Sequence, residues 1–308
     1  MNPCAFLFPG QGAQVVGMGR ELLEVFPEAR ALLERAEAHL RLPLGTLMVA
    51  GPEERLNEDF TAQVAVYVVS CMVTEILAAA GIRAAALAPY SSGLYAAAYA
   101  AGALGFEAGL TLMREADDCI HRNHSTGGMG VVLGLSAPQV ADLCVQMDRP
   151  VAVSIINTHH QIIVSGERSA VEALLERALA AEALKTAMLP ASAAYHCSLL
   201  TDADRCLAEK VAQTPLKPPH TPIVSYIDAA ALTTRPAVAA MLSNQLANRV
   251  DWVSVVNNIV GQGLTPLVEI GPGQMLGRSV RWIHRRATVL HTDTAAALAT
   301  TLETLSGS

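Results

Sequence analysis

Short apolar runs alternate along the chain with longer stretches in which apolar residues recur every three or four positions, the pattern of an α/β protein. Ala5 to Phe8 reads as a buried strand that stops at Pro9-Gly10. Helical spacing follows over Met18 to Leu40 and over Ala62 to Ala80. A second short strand, Ala85 to Ala88, runs at once into a small-residue helix, Ser92 to Ala101, and a further helix covers Phe106 to Asp118. From about Gly127 the texture changes. Met129 to Leu135, Val151 to Ile156 and Gln161 to Val164 read as strands, with helices near Pro138 to Gln146 and Arg168 to Ala181. This βαββα run of about 70 residues, ending in an extended Leu184 to Leu189, has the outline of a ferredoxin-like insert. Helix–strand alternation resumes after Tyr195, with strand candidates at Pro222 to Ser225 and Thr265 to Glu269. The expectation is an α/β body of residues 1–124 and 196–308 carrying residues 125–195 as a smaller lobe, without internal repeats or low-complexity linkers.

Composition narrows the partners. Of the 308 residues 52% are hydrophobic and 16% charged, which suits a large buried core and excludes a disordered chain. A net charge of -7 argues against nucleic acid, whose phosphates call for clustered Lys and Arg. Lysine stands only at Lys185, Lys210 and Lys217, leaving no polybasic patch for a membrane, and the alanine-rich Ala78 to Ala88, broken by Gly81 and Arg83, is too short to span one. Cys4, Cys71, Cys119, Cys144, Cys197 and Cys206 form no C-x-x-C pair, so neither a zinc site nor a disulfide framework is expected. The opening residues lack the basic and long apolar regions of a secretory signal. Reduced thiols in a cytoplasmic protein are the resulting expectation.

Three segments carry candidate chemistry. In Pro89-Tyr90-Ser91-Ser92-Gly93-Leu94-Tyr95 a strand runs into a serine and a helix begins within two residues. That is the layout of a nucleophile elbow, in which a tight turn exposes a serine hydroxyl at a helix N-terminus. The helix dipole and free N–H groups there can hold a developing oxyanion. Pro89 occupies the place of the first glycine of G-x-S-x-G, and the plainer alternative is that Ser91 caps the helix. Pro9-Gly10-Gln11-Gly12-Ala13-Gln14 follows the first strand; its glycines allow close backbone approach to a ligand, or make an ordinary turn, and it is not a Walker P-loop. Ala193-Ala194-Tyr195-His196-Cys197 supplies a histidine, the usual base for an activated serine, although a lone histidine is more often structural.

Taken together, these segments resemble the malonyl-CoA:acyl-carrier-protein transacylases and the related acyltransferases of fatty-acid and polyketide synthesis, over nearly the whole chain. The family opening F-P-G-Q-G-x-Q appears as Phe8 to Gln14, and its G-H-S-x-G-E-Y as Pro89 to Tyr95. The histidine motif falls on Ala193 to His196, the Q-L-x-N context on Gln245 to Asn248, and the late G-P-G on Gly271 to Gly273. The resemblance implies an α/β-hydrolase-like subdomain with an inserted ferredoxin-like subdomain. It also implies a ping-pong acyl transfer: Ser91 as nucleophile, His196 as base, the Gln245 backbone carbonyl orienting His196, and the backbone N–H groups of Gln11 and Ser92 as oxyanion hole. CoA or phosphopantetheine thioesters are then substrates, with no permanently bound cofactor or metal, and an acyl carrier protein is the partner.

The departures from the family bear on the substrate. Malonyl-type members carry an arginine that pairs with the substrate carboxylate; ungapped counting from Ser91 puts that position at Ala116. Arg114 lies two residues away, about 200° round a helix, and Asp117 and Asp118 follow directly. An uncarboxylated acyl group is therefore expected. Tyr90 and Leu94 replace the family histidine and glutamate. Tyr90, Asn157 and Tyr195 are candidate pocket residues, with core filling as the alternative for the tyrosines and, above all, for Leu94. The polar run Asp117, Asp118, Cys119, His121, Arg122, Asn123, His124 fits no metal motif and reads as a polar loop leaving a helix towards the small lobe; His159 and His160 read as a turn. Three functions stay open: an acyltransferase for an uncarboxylated acyl group, an acyl-carrier hydrolase sharing its acyl-serine intermediate, and a catalytically weak carrier-docking protein. The four residues Gln11, Ser91, His196 and Gln245 argue against the last.

Overall fold

The structure, a computed structural model, describes residues 3–122 and 127–307. Its strands are β1 (Ala5–Phe8), β2 (Ala86–Pro89), β3 (Gly128–Leu133), β4 (Val151–Thr158), β5 (Gln161–Gly166), β6 (Lys185–Leu189), β7 (Ile223–Val224), β8 (Ala231–Leu232), β9 (Val250–Asp251), β10 (Leu267–Glu269) and β11 (Val289–Leu290). Two sheets result. The body holds the order β11-β10-β1-β2-β7-β8, parallel throughout except for the β7/β8 hairpin pairing. Every residue of β1 and β2 is buried, so both faces of this sheet are covered, which is why these strands read as unbroken apolar runs.

The second sheet has the order β6-β3-β5-β4-β9. Its first four strands are antiparallel, with helices Ala137–Val145 and Arg168–Ala180 inserted between strands, and this is the ferredoxin-like arrangement. A small separate core, with Val132, Val164, Val171 and Leu174 at its centre, holds sheet and helices together. The edge strand β9 comes from the body and pairs parallel with β4, so the lobe's sheet is completed by residues far along the chain.

Three expectations change. Helix Met18 to Leu40 is two helices, Arg20–Val25 and Pro27–Leu40; Phe26 is extended because the residue before a proline is pushed from the helical region. Helix Asp59–Ala79 is long and apolar enough to cross a bilayer, yet 72% of its apolar window is buried inside the protein, against helices Pro27–Leu40 and Gly93–Ala100 among others. It is a core helix here. Finally, Cys119 and Cys206, 87 residues apart, are joined as a disulfide, whereas six free thiols were expected. The two cysteines meet because helices Phe106–Arg122 and Thr201–Gln213 pack together, which residue spacing alone does not reveal.

Candidate active site

At the end of β2 the chain turns so sharply that Ser91 adopts a φ of 52°, a left-handed conformation costly for a side-chain-bearing residue. The turn is held by Tyr90 N–H donating to Phe8 O and Gly93 N–H donating to Tyr90 O, both at 2.9 Å. Its neighbours must be small. A Cβ on Gly93 would strike the Phe8 carbonyl, and one on Gly10 would lie 2.6 Å from the Tyr90 carbonyl. The Gly10 loop therefore lies against the elbow, where Gln11 N–H donates to Ser92 Oγ at 3.2 Å. Ser92, not Ser91, is the N-cap of helix Gly93–Ala100. The capping alternative for Ser91 fails: its hydroxyl faces His196 instead.

Ser91 Oγ and His196 Nε2 are 2.7 Å apart. On the other side of the ring, Nδ1–H donates to the Asn248 carbonyl at 2.9 Å, which leaves Nε2 as the acceptor for the serine proton. This revises the orienting group. The Asn248 carbonyl is the main acceptor and the Gln245 carbonyl a lesser one, because the loop after helix Arg235–Ser243 wraps its carbonyls round the ring. His196 also has a positive φ, 62°, and its own N–H donates to Leu246 O at 2.6 Å. Burial drives its pKa down to about 4, against the raising effect of the Asn248 and Gln245 carbonyls. The imidazole is thus a neutral base well below neutrality.

Two carboxylates that sequence reasoning missed brace this machinery. Asp204, buried in the first turn of helix Thr201–Gln213, accepts Leu246 N–H at 2.9 Å and Ala247 N–H at 3.0 Å. It fixes the loop that orients His196. Burial pushes its own pKa up to about 6, against those two hydrogen bonds. Asp59, at the start of helix Asp59–Ala79, accepts from Gln11 Nε2 at 2.6 Å, Ser192 N–H at 2.9 Å, Ser192 Oγ at 2.5 Å and Tyr195 OH at 3.2 Å. It ties the Gly10 loop to the segment that bears His196. The only sequence signal was an acid beginning an apolar helix, which equally suits a helix dipole.

The nine candidate residues converge. A cavity of about 260 Å³ opens between lobe and body, lined by Gln11, Tyr90, Ser91, Tyr195 and His196 and by Met129, Ile155, Asn157 and Ile163 of the lobe, among others. Beside it lies a notch of about 20 Å³ bounded by Ser91, Ser92, Ala116, Asp117, Tyr195 and Gln245, among others. Ala116 thus lies beside Ser91 in the structure. Among the described residues, neither space is lined by Arg or Lys. Arg114 points elsewhere, its guanidinium 3.9 Å above the Phe60 ring. Tyr90 donates to Asn157 Oδ1 at 2.5 Å, an elbow-to-lobe bond, and packs edge-on against Trp252; Leu94 is wholly buried in the core. His159 and His160 form a turn; Asp117 to Arg122, expected as a loop, instead continue helix Phe106–Arg122, and Asn123 and His124 lie outside the described residues. No group of three metal-ligating side chains occurs among the described residues.

A family model described as acyl transferase domain matches residues 5–298. The malonyl CoA-acyl carrier protein transacylase of Bacillus subtilis strain 168 is 31% identical over 310 residues, 99% of this chain and 98% of that protein. The polyketide biosynthesis protein ThaF of Burkholderia thailandensis is 32% identical over 91% of this chain, which spans 24% of that larger protein. Among solved structures, a type II polyketide-synthase acyl carrier protein in complex with its malonyl-transacylase matches with a TM-score of 0.94 and 29% identity, covering 98% of this chain and 99% of that one. With its motifs converging on one cleft and nearly its whole length matched, the chain belongs to the acyl transferase domain family.

Proposed function

We propose that this protein transfers an uncarboxylated acyl group between CoA or carrier-protein thioesters through an acyl-Ser91 intermediate. Ser91 Oγ attacks the thioester carbonyl as its proton passes to His196 Nε2, across the 2.7 Å contact. The oxyanion would be held by the Ser92 backbone N–H, at the N-terminus of helix Gly93–Ala100, and by the Gln11 N–H, which would exchange its bond to Ser92 Oγ for one to the oxyanion. Collapse breaks the C–S bond, and His196 protonates the leaving sulfur. A carrier thiol then reverses these steps and leaves with the acyl group. The Bacillus subtilis relative and the structural neighbour named above are malonyl transacylases, but a malonyl carboxylate here would meet Ala116 and Asp117 and, among the described residues, no Arg or Lys. That absence is the observation that carries the substrate reading, since a buried unpaired carboxylate costs several kcal/mol, whereas apolar chains gain about 0.8 kcal/mol per buried CH₂.

The partner is an acidic, phosphopantetheine-bearing carrier. Helix Met275–Ile283 begins at Met275 on the cavity wall and carries Trp282, 79% exposed, amid Arg278, Arg281, Arg285 and Arg286. The experiment is intact-mass analysis of the protein and an acyl carrier after mixing with malonyl, acetyl, propionyl and butyryl thioesters. Acylated protein and acylated carrier are expected with the uncarboxylated donors. Free acid without acylated carrier makes the protein a hydrolase instead, and faster loading by malonyl overturns the substrate reading.

A further inference from the structure

Among the described residues, Asp117 is the one acidic side chain on the wall of either space beside Ser91. Among the described residues its carboxylate accepts no hydrogen bond; its nearest cation is the exposed His121, with Nδ1 at 3.5 Å, and that nitrogen is already engaged at 2.8 Å by the Asp117 backbone carbonyl. Arg114, three residues earlier on the helix, is stacked on Phe60. The Asp117 side chain is 21% exposed, so water does not fully compensate it. A partly desolvated carboxylate held by a long contact to an exposed histidine, on the wall of a notch that also reaches Ser91, can take a further cation.

The shape of the notch limits that cation. About 20 Å³ suffices for one water-sized group, because roughly 10–15 Å³ of such space admits a water. A methyl or an ammonium fits there, while a carboxylate would be repelled by Asp117. Between a methyl and an ammonium the carboxylate decides, since a charge-assisted hydrogen bond is roughly twice as strong as a neutral one.

We infer that the acyl donor bears an amino group, and that Asp117 binds its ammonium in the notch while Ser91 takes the acyl carbon. This rests on the acyl-Ser91 reading above and narrows it from uncarboxylated to aminoacyl thioesters. Asp117 acts here as a specificity residue and takes no part in bond making. The Ser91 C–O bond forms, the thioester C–S bond breaks, and the serine proton leaves on the sulfur through His196; the ammonium is unchanged. The state of Asp117 agrees with this role. Burial raises its pKa, as do Asp118 and Asp59, against the lowering by His121 and Arg114, and an ammonium in the notch would lower it.

The test uses size-matched pantetheine thioesters, β-alanyl against butyryl and glycyl against propionyl, with initial acylation of the full-length protein read by intact mass. The amino member of each pair is expected to load about tenfold faster, in line with sites that hydrogen-bond a substrate group and reject its apolar isostere. Asp117→Asn should bring each ratio to about one while butyryl loading persists, which separates specificity from a folding defect. N-acetyl-β-alanyl pantetheine, with its charge removed, should lose the advantage on wild type even if the Asp117→Asn protein does not fold. Equal or faster loading of wild type by butyryl and propionyl, or unchanged ratios in a folded Asp117→Asn protein, overturns the inference but leaves the acyl-serine reading standing. Failure of every thioester to load Ser91 overturns both.

Discussion

The two sides of Ser91 are built differently. On one side the reacting groups sit on turns fixed by main-chain bonds: Ser91 and His196 both have positive φ, and His196 is held through Leu246 and Asn248 carbonyls. On the other side the acyl wall is assembled from side chains on distant elements: Ala116 and Asp117 from one helix, Tyr90 from the elbow and Asn157 from the lobe. Backbone strain demands particular residues at particular spacings, so the first side leaves a motif in the sequence. A side-chain wall changes one residue at a time, so the second side can depart from its relatives while the first stays intact. The chemistry is thereby uncoupled from the choice of substrate.

The sharpest break of that comparison is at the nucleophile. Ser91→Ala should reduce acyl-enzyme formation by several orders of magnitude, as loss of a nucleophile does, whereas Ser92→Ala should keep most of it because Ser92 contributes a backbone N–H. His196→Ala should slow acylation by about 10²–10⁴-fold. Acyl-protein mass is the readout, and undiminished acylation of Ser91→Ala would move the reaction to another residue.

Next in size is the brace on the base. Burial pushes the His196 pKa down to about 4, so the imidazole is neutral above that. Asp204 titrates at about 6, and its ionised form accepts the Leu246 and Ala247 N–H groups. Lowering the pH through about 6 protonates Asp204, releases one of those donors and loosens the loop that orients His196. Acylation should therefore decline below about pH 6, with the His196 limb lying lower still. In Asp204→Asn the rate should fall about tenfold and lose the limb near pH 6, since an amide presents an N–H where an acceptor is needed. A limb retained near pH 6 in that variant would free Asp204 of this role.

Legibility followed the same division. The strand-turn-helix at Ser91, the Gly10 loop, the lobe outline and the pairing of Ser91 with His196 were readable because each rests on local geometry or a short motif. Asp59, Asp204 and the Cys119–Cys206 bond were not, since their meaning arises only when helices far apart in sequence pack together. Strands β8, β9 and β11, two residues each, are too short to show a period. Ala116 stands between these cases: its place was countable, but its neighbour Asp117 gains significance only from the notch.

Selectivity offers a smaller but diagnostic effect. Ala116→Arg puts a cation on the notch wall, and malonyl loading relative to acetyl should rise about tenfold, measured by intact mass with the two donors in competition. Asp117 stands next in sequence and competes for the guanidinium, so Ala116→Arg with Asp117→Asn should rise further than either change alone. A ratio unmoved in the double variant would show that the donor's end group lies elsewhere, and the division between machinery and wall would need redrawing.

The smallest effect is expected where the two sides touch. Tyr90 is next to the nucleophile, but its hydroxyl is spent on Asn157 Oδ1 at 2.5 Å, and its ring packs edge-on against Trp252. Burial raises the phenol pKa, against the lowering by Asn157, so the group stays a neutral donor throughout the working range. Tyr90→Phe removes one hydrogen bond between elbow and lobe and keeps the ring packing. Asn157 lines the cavity, where water can replace the lost donor, so stability should fall by only about 1 kcal/mol in denaturant unfolding. Acylation by small donors should change less than about threefold, because neither reacting group contacts the phenol. A loss of a hundredfold or more with unchanged stability would make Tyr90 part of the reacting machinery, and the boundary would then run through the lobe instead of along Ser91.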